Sequence, residues 1–275
     1  MPELPEVETY VREIAPHLRG RQVTAARVRW ARTIEAPDPT AFAERIIGQR
    51  FATFSRRGKY MLFGMESGDT LIVHLRMTGH LFVLAGSIEP DKHTHVVLDL
   101  DNGQSLHYQD SRKFGRIWLV SDPAQVVGKL GPEPLGEAFS VQAFAHKLAG
   151  RGASIKALLL DQRIVAGVGN IYADEALFAA GVYPARAGGA LTTQEIERLR
   201  NAIQTVLQRA IQLNGSSLGH SSVQNYLRPN GELGGFQDEH KVYQRAGEAC
   251  LQCGQKIERM VLAQRSTHFC TICQK

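Results

Sequence analysis

The chain has 275 residues, 43% hydrophobic and 21% charged, and its 32 lysines and arginines outnumber 27 acidic residues for a formal net charge of +5. This composition is that of a globular protein long enough for two domains, and it excludes a disordered or repetitive chain. The sequence has no apolar run near the roughly 18 residues of a membrane-spanning helix and begins with acidic residues, so we expect no signal peptide, no membrane partner and a cytoplasmic location.

The N-terminal part predicts one helix followed by many short strands. Apolar side chains at helical spacing run from residue 6 to residue 18, with Pro2 and Pro5 at the start and Gly20 as a stop signal. Eight short apolar or alternating runs follow, and a helix at residues 38–47 is inserted among them. This spacing predicts a β-sandwich. The predicted strands are residues 23–30, 50–54, 60–65, 70–75, 80–84, 94–100, 105–109 and 116–120.

The first residues also hold a candidate nucleophile. If Met1 is removed, Pro2 becomes a free secondary amine, and α-amino groups have a pKa of about 7.7–8.0, so part of it is nucleophilic at physiological pH. Attack on the anomeric carbon of a sugar forms an iminium ion, which acidifies the neighbouring C–H and favours elimination. Glu3 stands beside it as a general acid or base. A proline-flanked helix start without chemistry explains the same residues, and a retained Met1 would block the amine.

Two separated segments are basic. Residues 45–65 contain five lysines and arginines, including Lys59, and no acid. Residues 241–275 contain six lysines and arginines and only two acidic residues, Glu248 and Glu258. This distribution is typical of a nucleic-acid footprint built from more than one part of a fold, although solvated surface charge explains it as well.

The pattern changes at residues 131–134, Gly-Pro-Glu-Pro, where we place a linker. Beyond it, apolar periodicity predicts four helices, with Asn170 as the cap of the third and Thr192 or Thr193 as the cap of the fourth. The glycine-rich residues 214–236 are predicted to form a mobile loop. The predicted helices are residues 141–148, 154–160, 170–180 and 193–213. The predicted domains are residues 1–131, 132–236 and 237–275.

All four cysteines lie in the last 26 residues, as two Cys-x2-Cys pairs that 16 residues separate. Their thiolates can converge on one Zn²⁺ at the end of a hairpin with strands at residues 256–262 and 265–269. Because a segment this small buries too little apolar surface to fold alone, the metal would supply its stability. Four cysteines leave no open position, which predicts structural zinc; two disulfides or redox motifs are the alternative. The ligands are Cys250, Cys253, Cys270 and Cys273.

Three motifs together carry a family resemblance over essentially the whole chain. They are Pro2-Glu3-Leu4-Pro5-Glu6-Val7-Glu8-Thr9, Gly167-Val168-Gly169-Asn170-Ile171-Tyr172-Ala173, and the four-cysteine hairpin with Gln264-Arg265-Ser266-Thr267. In this order they resemble the bacterial-type formamidopyrimidine-DNA glycosylases. The fold expected with this resemblance is α+β and multidomain: an N-terminal helix plus β-sandwich, a helix–two-turn–helix domain and a zinc hairpin. We expect a monomer that acts on double-stranded DNA.

The resemblance implies a bifunctional DNA glycosylase and abasic-site lyase for oxidised purines. By this likeness Pro2 attacks the anomeric carbon and Glu3 protonates the opening sugar. Lys59 contacts phosphate beside the lesion and assists proton transfer, and Arg265 grips phosphate during the later elimination. A wedge fills the gap that the everted base leaves. The wedge is Met77, Arg112 and Phe114, and without the resemblance Met77 and Phe114 would be assigned to the core. The further DNA contacts are His93, Arg112, Arg151 and Asn170. Lys156 resembles a family lysine near the site.

Two departures from the family concern the choice of lesion. Thr78 stands where some relatives have a glutamate tied to the oxidised base, and residues 219–222 match poorly in the region that covers the everted base. Two other functions stay open. The first is an endonuclease VIII-like activity on oxidised pyrimidines, but those enzymes usually have Gly at the position of Leu4. The second is a DNA-binding protein without catalysis, which the intact Pro2 and Arg265 speak against.

Overall fold

The structure, a computed structural model, describes residues 1–86, 88–218 and 226–275. These residues fall into two units, Met1–Gly128 with Asn214–Gly234 and Lys129–Leu213 with Gly235–Lys275. Within the described ranges, none of the helices has the length and apolar character that crossing a membrane requires. The divergent positions 219–222 lie outside the described residues.

The first unit begins with a helix and continues as two sheets. The helices are α1 (Leu4–Leu18), α2 (Pro39–Ile46) and α3 (Ala124–Val127). The strands are β1 (Val23–Val28), β2 (Ile34–Ala36), β3 (Phe51–Arg57), β4 (Tyr60–Met65), β5 (Thr70–His74), β6 (Gly79–Ala85), β7 (Thr94–Leu100), β8 (Gln104–Asp110) and β9 (Arg116–Val120). One sheet has the order β1-β7-β8-β6 and the other β2-β9-β5-β4-β3. β2 and β9 run parallel, and the other described pairs in these sheets are antiparallel.

Both sheets share one hydrophobic core with α1 and α2. Tyr10 of α1, Phe42 of α2, Phe63 of β4 and Leu106 of β8 belong to the same buried cluster. In β4 every second side chain is buried, including Met61 and Phe63, because successive side chains of a strand point to opposite faces. The predicted β-sandwich is therefore confirmed.

The second unit is helical and ends in a hairpin. Its elements are α4 (Val141–Leu148), α5 (Ile155–Leu160), α6 (Asn170–Ala180), α7 (Thr193–Gln212), β10 (Glu258–Leu262) and β11 (Arg265–Phe269). The Ser140 hydroxyl accepts the N–H of Ala143 at 3.1 Å and so caps α4, and Ser154 caps α5 in the same way. α6 packs against α5, α7 and β11, and most of its side chains are buried. This helix is the centre of the unit.

The structure corrects the predicted cap of α6. Gly169 is the residue before the helix, and no side chain caps it there. Asn170 is the first helical residue, and its amide nitrogen donates to the carbonyl oxygen of Ser266 at 3.0 Å. The prediction is wrong because this contact with β11 is formed between residues 96 positions apart, which no local pattern reports. The short β2 and α3 are absent from the predicted elements because three or four residues show no period.

Residues 214–218 and 226–234 pack with the first unit, whereas their place in the sequence suggests the helical domain. Side chains of α1 explain the difference. The Tyr10 hydroxyl donates to the carbonyl oxygen of Leu227 at 2.9 Å, and Arg228 Nε donates to Glu13 Oε1 at 2.6 Å. Because Tyr10 and Glu13 are three residues apart, they lie on one face of the helix. The described part of the predicted mobile loop is therefore anchored to α1.

The start of α7 carries an acid-dependent contact. Thr192 is the N-cap, and Glu195 accepts hydrogen bonds from the Thr192 N–H at 2.8 Å and from Arg186 Nη2 at 3.0 Å. The hydrogen bonds from Arg186 lower the pKa of Glu195 from 4.5 to about 2. Because the folded pKa lies below the ordinary value, the contact stabilises the fold above pH 4.5 and loses that contribution as the pH falls toward 2.

We expect Glu195→Gln to lower the free energy of unfolding near neutral pH, with a deficit that shrinks as the wild-type carboxylate becomes protonated between about pH 5 and about pH 2. Urea denaturation over this pH series measures the deficit. Glu197→Gln changes an exposed carboxylate of the same helix and should show neither effect. A Glu195→Gln deficit that stays constant across the series would contradict the assignment.

Candidate functional site

The N-terminal residues are held by one carboxylate of α1. Pro2 is buried, and Glu3, 3% exposed, is the last residue before the helix. The backbone N–H of Glu3 donates to Glu6 Oε2 at 2.7 Å, and the N–H of Ser216 donates to Glu6 Oε1 at 2.8 Å. Glu6 therefore sets the backbone position of the two predicted catalytic residues, a role that the sequence alone does not indicate.

The hairpin between β3 and β4 carries Lys59, which is 6% exposed. Gly58 permits the turn with a φ of 55°. Arg56 joins the hairpin to α1, because its Nε donates to Glu8 Oε2 at 3.1 Å while its Nη1 donates to the Gly58 carbonyl at 3.0 Å. The structure therefore ties the turn that bears Lys59 to the helix that follows Glu3.

His74 is a candidate residue that the sequence motifs do not single out. It ends β5, and its Nδ1 accepts the backbone N–H of Arg76 at 3.0 Å. Burial lowers the pKa of His74 to about 3, and the positive charges of Arg76 and Lys59 act in the same direction. A neutral imidazole beside Lys59 can hydrogen-bond without adding positive charge. The one signal in the sequence is a histidine at the end of an apolar strand, which many core histidines share.

A cavity of about 490 Å³ lies within the first unit, and its lining includes Thr78, His80 and the predicted DNA contact His93. His80 Nδ1 is hydrogen-bonded to the Tyr10 hydroxyl at 3.0 Å. Burial lowers the pKa of His80; the negative charge of Asp110 opposes this effect, and the α-amino group of Met1 adds to it. The volume of the cavity is typical of small-molecule sites.

The predicted wedge residues lie together on two turns of the first unit. Met77 and Phe114 are 39% and 47% exposed, so their alternative assignment to the core is wrong. Arg112 contacts both, because its Nη1 lies 3.3 Å from Met77 Sδ and its guanidinium lies 4.8 Å from the Phe114 ring centroid. Two apolar side chains and a cation are thus presented to solvent as one cluster.

In the second unit, Lys156 and Asp174 form an ion pair with both side chains 0% exposed. Lys156 Nζ also donates to the Ser266 carbonyl at 3.3 Å, and Asp174 Oδ2 accepts the N–H of His268 at 3.0 Å. Lys156 therefore braces β11 from inside the unit. The predicted proximity of Lys156 to a substrate stays a prediction.

The other predicted DNA contacts of the second unit lie at the ends of elements. Arg265 is exposed and begins β11, directly after a turn in which Gln264 has a φ of 60°. Asn170 begins α6, where its hydrogen bond to the Ser266 carbonyl ties it to β11. Arg151 is exposed between α4 and α5. Phosphate contacts at these positions stay predictions.

The sulfurs of the four cysteines all lie within 4.8 Å of one another. Cys253 and Cys270 sulfurs are 3.4 Å apart, and those of Cys250 and Cys273 are 3.9 Å apart. A tetrahedral Zn²⁺ with bonds of about 2.3 Å needs sulfurs about 3.8 Å apart, so the set fits this ion. All four are free cysteines, so the alternative of two disulfides does not describe the structure.

Comparison with known proteins decides the family. Residues 1–117 match the formamidopyrimidine-DNA glycosylase N-terminal domain, and residues 130–222 match the helix–two-turn–helix (H2TH) domain of the same family. Residues 247–275 match the zinc finger found in FPG and IleRS. The formamidopyrimidine-DNA glycosylase of Desulfitobacterium hafniense is 48% identical over 278 residues, with 100% of both chains covered. The chain belongs to the formamidopyrimidine-DNA glycosylase family.

Solved structures agree with this membership. MutM (FPG) from Thermus thermophilus is 43% identical with a TM-score of 0.89, over 99% of this chain and 98% of that one. Lactococcus lactis Fpg in a complex with abasic-site DNA is 35% identical with a TM-score of 0.91, over 99% of each chain. A complex of the Lactococcus lactis protein with Fapy-dG-containing DNA has a TM-score of 0.90 at 35% identity, over 99% of this chain and 100% of that one.

Membership in the formamidopyrimidine-DNA glycosylase family makes the chain a DNA glycosylase of base excision repair. It also confirms the predicted α+β fold with its H2TH domain. The zinc-finger match and the convergent sulfurs together confirm one structural zinc.

Proposed function

We propose that this chain removes oxidised purines, 8-oxoguanine and formamidopyrimidines, from double-stranded DNA and then cleaves the strand at the abasic site. The observation that carries the proposal is the N-terminal segment. Pro2 and Glu3 are buried, Glu6 holds the backbone of Glu3, and the same unit contains a cavity of about 490 Å³. An N-terminal amine next to a buried carboxyl group is the arrangement that amine attack on an everted nucleotide requires.

The chemistry starts at the Pro2 nitrogen after Met1 has been removed. The amine attacks C1′ of the damaged nucleotide, the bond between C1′ and the base breaks, and the base leaves with the proton that the Pro2 nitrogen gives up. Glu3 protonates the ring oxygen as the sugar opens, and C1′ and the nitrogen become an iminium ion. A secondary amine is suited to this step because its iminium ion is cationic without a further proton.

Strand cleavage follows from the iminium ion, which acts as an electron sink. Loss of a C2′ proton expels the 3′ phosphate by β-elimination, and δ-elimination then expels the 5′ phosphate. Hydrolysis of the remaining iminium frees Pro2. Lys59 contacts phosphate beside the lesion and assists the proton transfers, and the planar guanidinium of Arg265 holds phosphate through two parallel hydrogen bonds.

The base reaches this chemistry only after it has left the stack, which costs a few kcal/mol that new contacts must offset. The mutual contacts and exposure of Met77, Arg112 and Phe114 support their proposed role as the wedge that fills the gap. The proposed contacts with the DNA backbone are His93, Arg112, Arg151 and Asn170. The enzyme acts as a monomer, since one lesion occupies one chain. It acts in the cytoplasm, on the nucleoid during repair.

The DNA in the Lactococcus lactis complexes supports the proposed substrates, because one complex contains Fapy-dG and another contains an abasic site. These two ligands correspond to the first and second steps of the proposed reaction.

Borohydride trapping tests the proposal, because it reduces an iminium ion to a stable covalent bond. Protein lacking Met1, verified by intact mass, is incubated with duplex DNA that contains one 8-oxoguanine. We expect a covalent adduct on the N-terminal peptide, none with undamaged duplex, and a reduced yield with Pro2→Gly, which keeps a primary amine.

Protein that retains Met1 is the matched control, because its Pro2 nitrogen is in an amide and should give no adduct. Processed protein that forms no adduct with 8-oxoguanine but does so with an oxidised pyrimidine would overturn the purine assignment. Binding without an adduct on either lesion would favour the protein without catalysis.

A further inference from the structure

The carboxylate of Asp110 lies directly beneath the two turns that carry the wedge side chains. It is 0% exposed. Its Oδ1 accepts the Thr78 hydroxyl at 2.5 Å and the backbone N–H of Arg112 at 3.1 Å. Its Oδ2 accepts the backbone N–H of Gly115 at 2.8 Å and the Tyr108 hydroxyl at 3.3 Å. One carboxylate therefore joins the turn that bears Met77 to the turn at residues 111–115.

The Tyr108 hydroxyl fills the space between the same two turns. A Cβ atom added at Gly115 would lie 1.6 Å from this hydroxyl, and one added at Gly79 would lie 2.8 Å from it. Glycine is required at both positions, because any side chain would push the turn off the Tyr108–Asp110 pair. The two backbones therefore rest directly on the buried polar groups.

Each turn also holds one non-glycine residue in a left-handed conformation. Arg76 has a φ of 54° and Lys113 a φ of 60°, a conformation that costs energy for residues with a Cβ atom and persists only where surrounding contacts hold it. The hydrogen bonds to Asp110 begin and end the second turn, at Arg112 and Gly115, and reach the first turn through Thr78. These contacts supply the constraint that both turns need.

We propose that Asp110, linked to Thr78, is a positioning residue that keeps the two turns in register so that Met77, Arg112 and Phe114 enter DNA as one preformed wedge. The proposal rests on the proposed function in one respect, that these side chains fill the gap of an everted base. The Thr78 hydroxyl thereby has a definite role, because it carries the constraint from Asp110 to the turn of Met77. Without this hydroxyl, the three wedge side chains must be ordered while the base is everted. The free energy of ordering them then raises the barrier to eversion and slows base removal.

The test separates base eversion from the chemistry at the sugar. Thr78→Val removes the hydroxyl and keeps the shape, Thr78→Ser keeps the hydroxyl, and Asp110→Asn replaces an acceptor oxygen with a donor. Each variant is assayed under single turnover on an 8-oxoguanine duplex with 2-aminopurine beside the lesion, whose fluorescence rises when its neighbour unstacks. The second substrate is a single-stranded abasic oligonucleotide, which has no base to evert and no partner strand, and its cleavage is measured in the same way.

We expect Thr78→Val and Asp110→Asn to slow the fluorescence rise and duplex excision together by about tenfold or more, the size expected for hydrogen bonds to a charged group. Cleavage of the single-stranded abasic substrate should be close to wild type, and Thr78→Ser should restore duplex activity. Asp69→Asn is the matched control, because this carboxylate accepts hydrogen bonds from Arg45 Nε at 2.7 Å and Gln49 Nε2 at 2.8 Å in the same unit. It should lower thermal stability without changing the fluorescence rise.

An unchanged fluorescence rise in Thr78→Val and Asp110→Asn would overturn the proposal. So would an equal loss on the duplex and the single-stranded abasic substrate, or an equal slowing in Asp69→Asn, because each would indicate general damage to the fold. A wild-type protein that gives the fluorescence rise but cleaves neither substrate would overturn the proposed function, while the variants would still report on the wedge.

Discussion

Glu3→Gln is expected to lower base excision from a lesion-containing duplex by about 10²–10⁴-fold, the usual contribution of a general acid. The amide keeps the size of the side chain but cannot deliver a proton to the opening sugar. Cleavage at a preformed abasic site should be reduced far less, because an abasic sugar is a hemiacetal that opens to its aldehyde without a proton from Glu3. Single-turnover rates on the two substrates measure the difference.

Glu6→Gln is the matched control, since it is the same substitution three residues further along the chain. The Glu6 carboxylate accepts the backbone N–H groups of Glu3 and Ser216, so its loss displaces the segment that both reactions use. We expect Glu6→Gln to slow excision and abasic-site cleavage by similar factors. Equal excision rates for wild type and Glu3→Gln would rule out the proposed proton transfer.

Removal of zinc is expected to abolish DNA binding while most of the first unit stays folded. The apolar cluster beneath the hairpin is small and includes Cys250 and Cys270 themselves, together with Phe178, Val242 and Ile257. Structural Zn²⁺ contributes about 10–16 kcal/mol in isolated fingers, which so few apolar contacts cannot replace. Loss of the metal therefore releases β10 and the turn that carries Arg265, which lies before the part of β11 that Lys156, Asn170 and Asp174 hold.

Anisotropy of a labelled lesion duplex measures the affinity after chelation, with the zinc content verified and circular dichroism used to follow the strands of the first unit. Arg265→Ala with zinc retained is the control, because it removes the guanidinium and leaves the hairpin intact. We expect it to weaken binding only in part. An affinity that survives verified removal of zinc would show that the hairpin does not grip DNA.

Local sequence patterns predicted much of the secondary structure because the elements follow simple rules. β4, β7 and β9 have the predicted bounds, as do α4 and α6, since turn residues and apolar periods mark both ends of these elements. Other bounds differ by a few residues, as in the first strand, which ends at Val28 and not at residue 30. At element ends the last residues have too few contacts for periodicity to indicate where pairing stops.

Some residues of the candidate site were also predictable from the sequence, and others were not. The chemistry of the first residues named Pro2 and Glu3 as candidates, the resemblance supplied the roles of Lys59 and Arg265, and the structure adds burial and partners. His74 beside Lys59 and Asp110 beneath the wedge lie at ordinary strand ends in the sequence. Nothing in their local surroundings distinguishes them from residues of a sheet edge.

The sequence by itself determined the family, the helices and strands of the sandwich, and the zinc ligands, because each depends on residues that are close along the chain or form a recognisable motif. Only the tertiary structure decided that residues 226–234 belong with α1, that Asn170 binds Ser266 instead of capping α6, and that Lys156 is buried against Asp174. These contacts join residues far apart in sequence, and their free energy depends on burial and geometry that exist only once the chain has folded. A polar side chain has the same letter whether it faces water, DNA or a buried partner, and packing decides which.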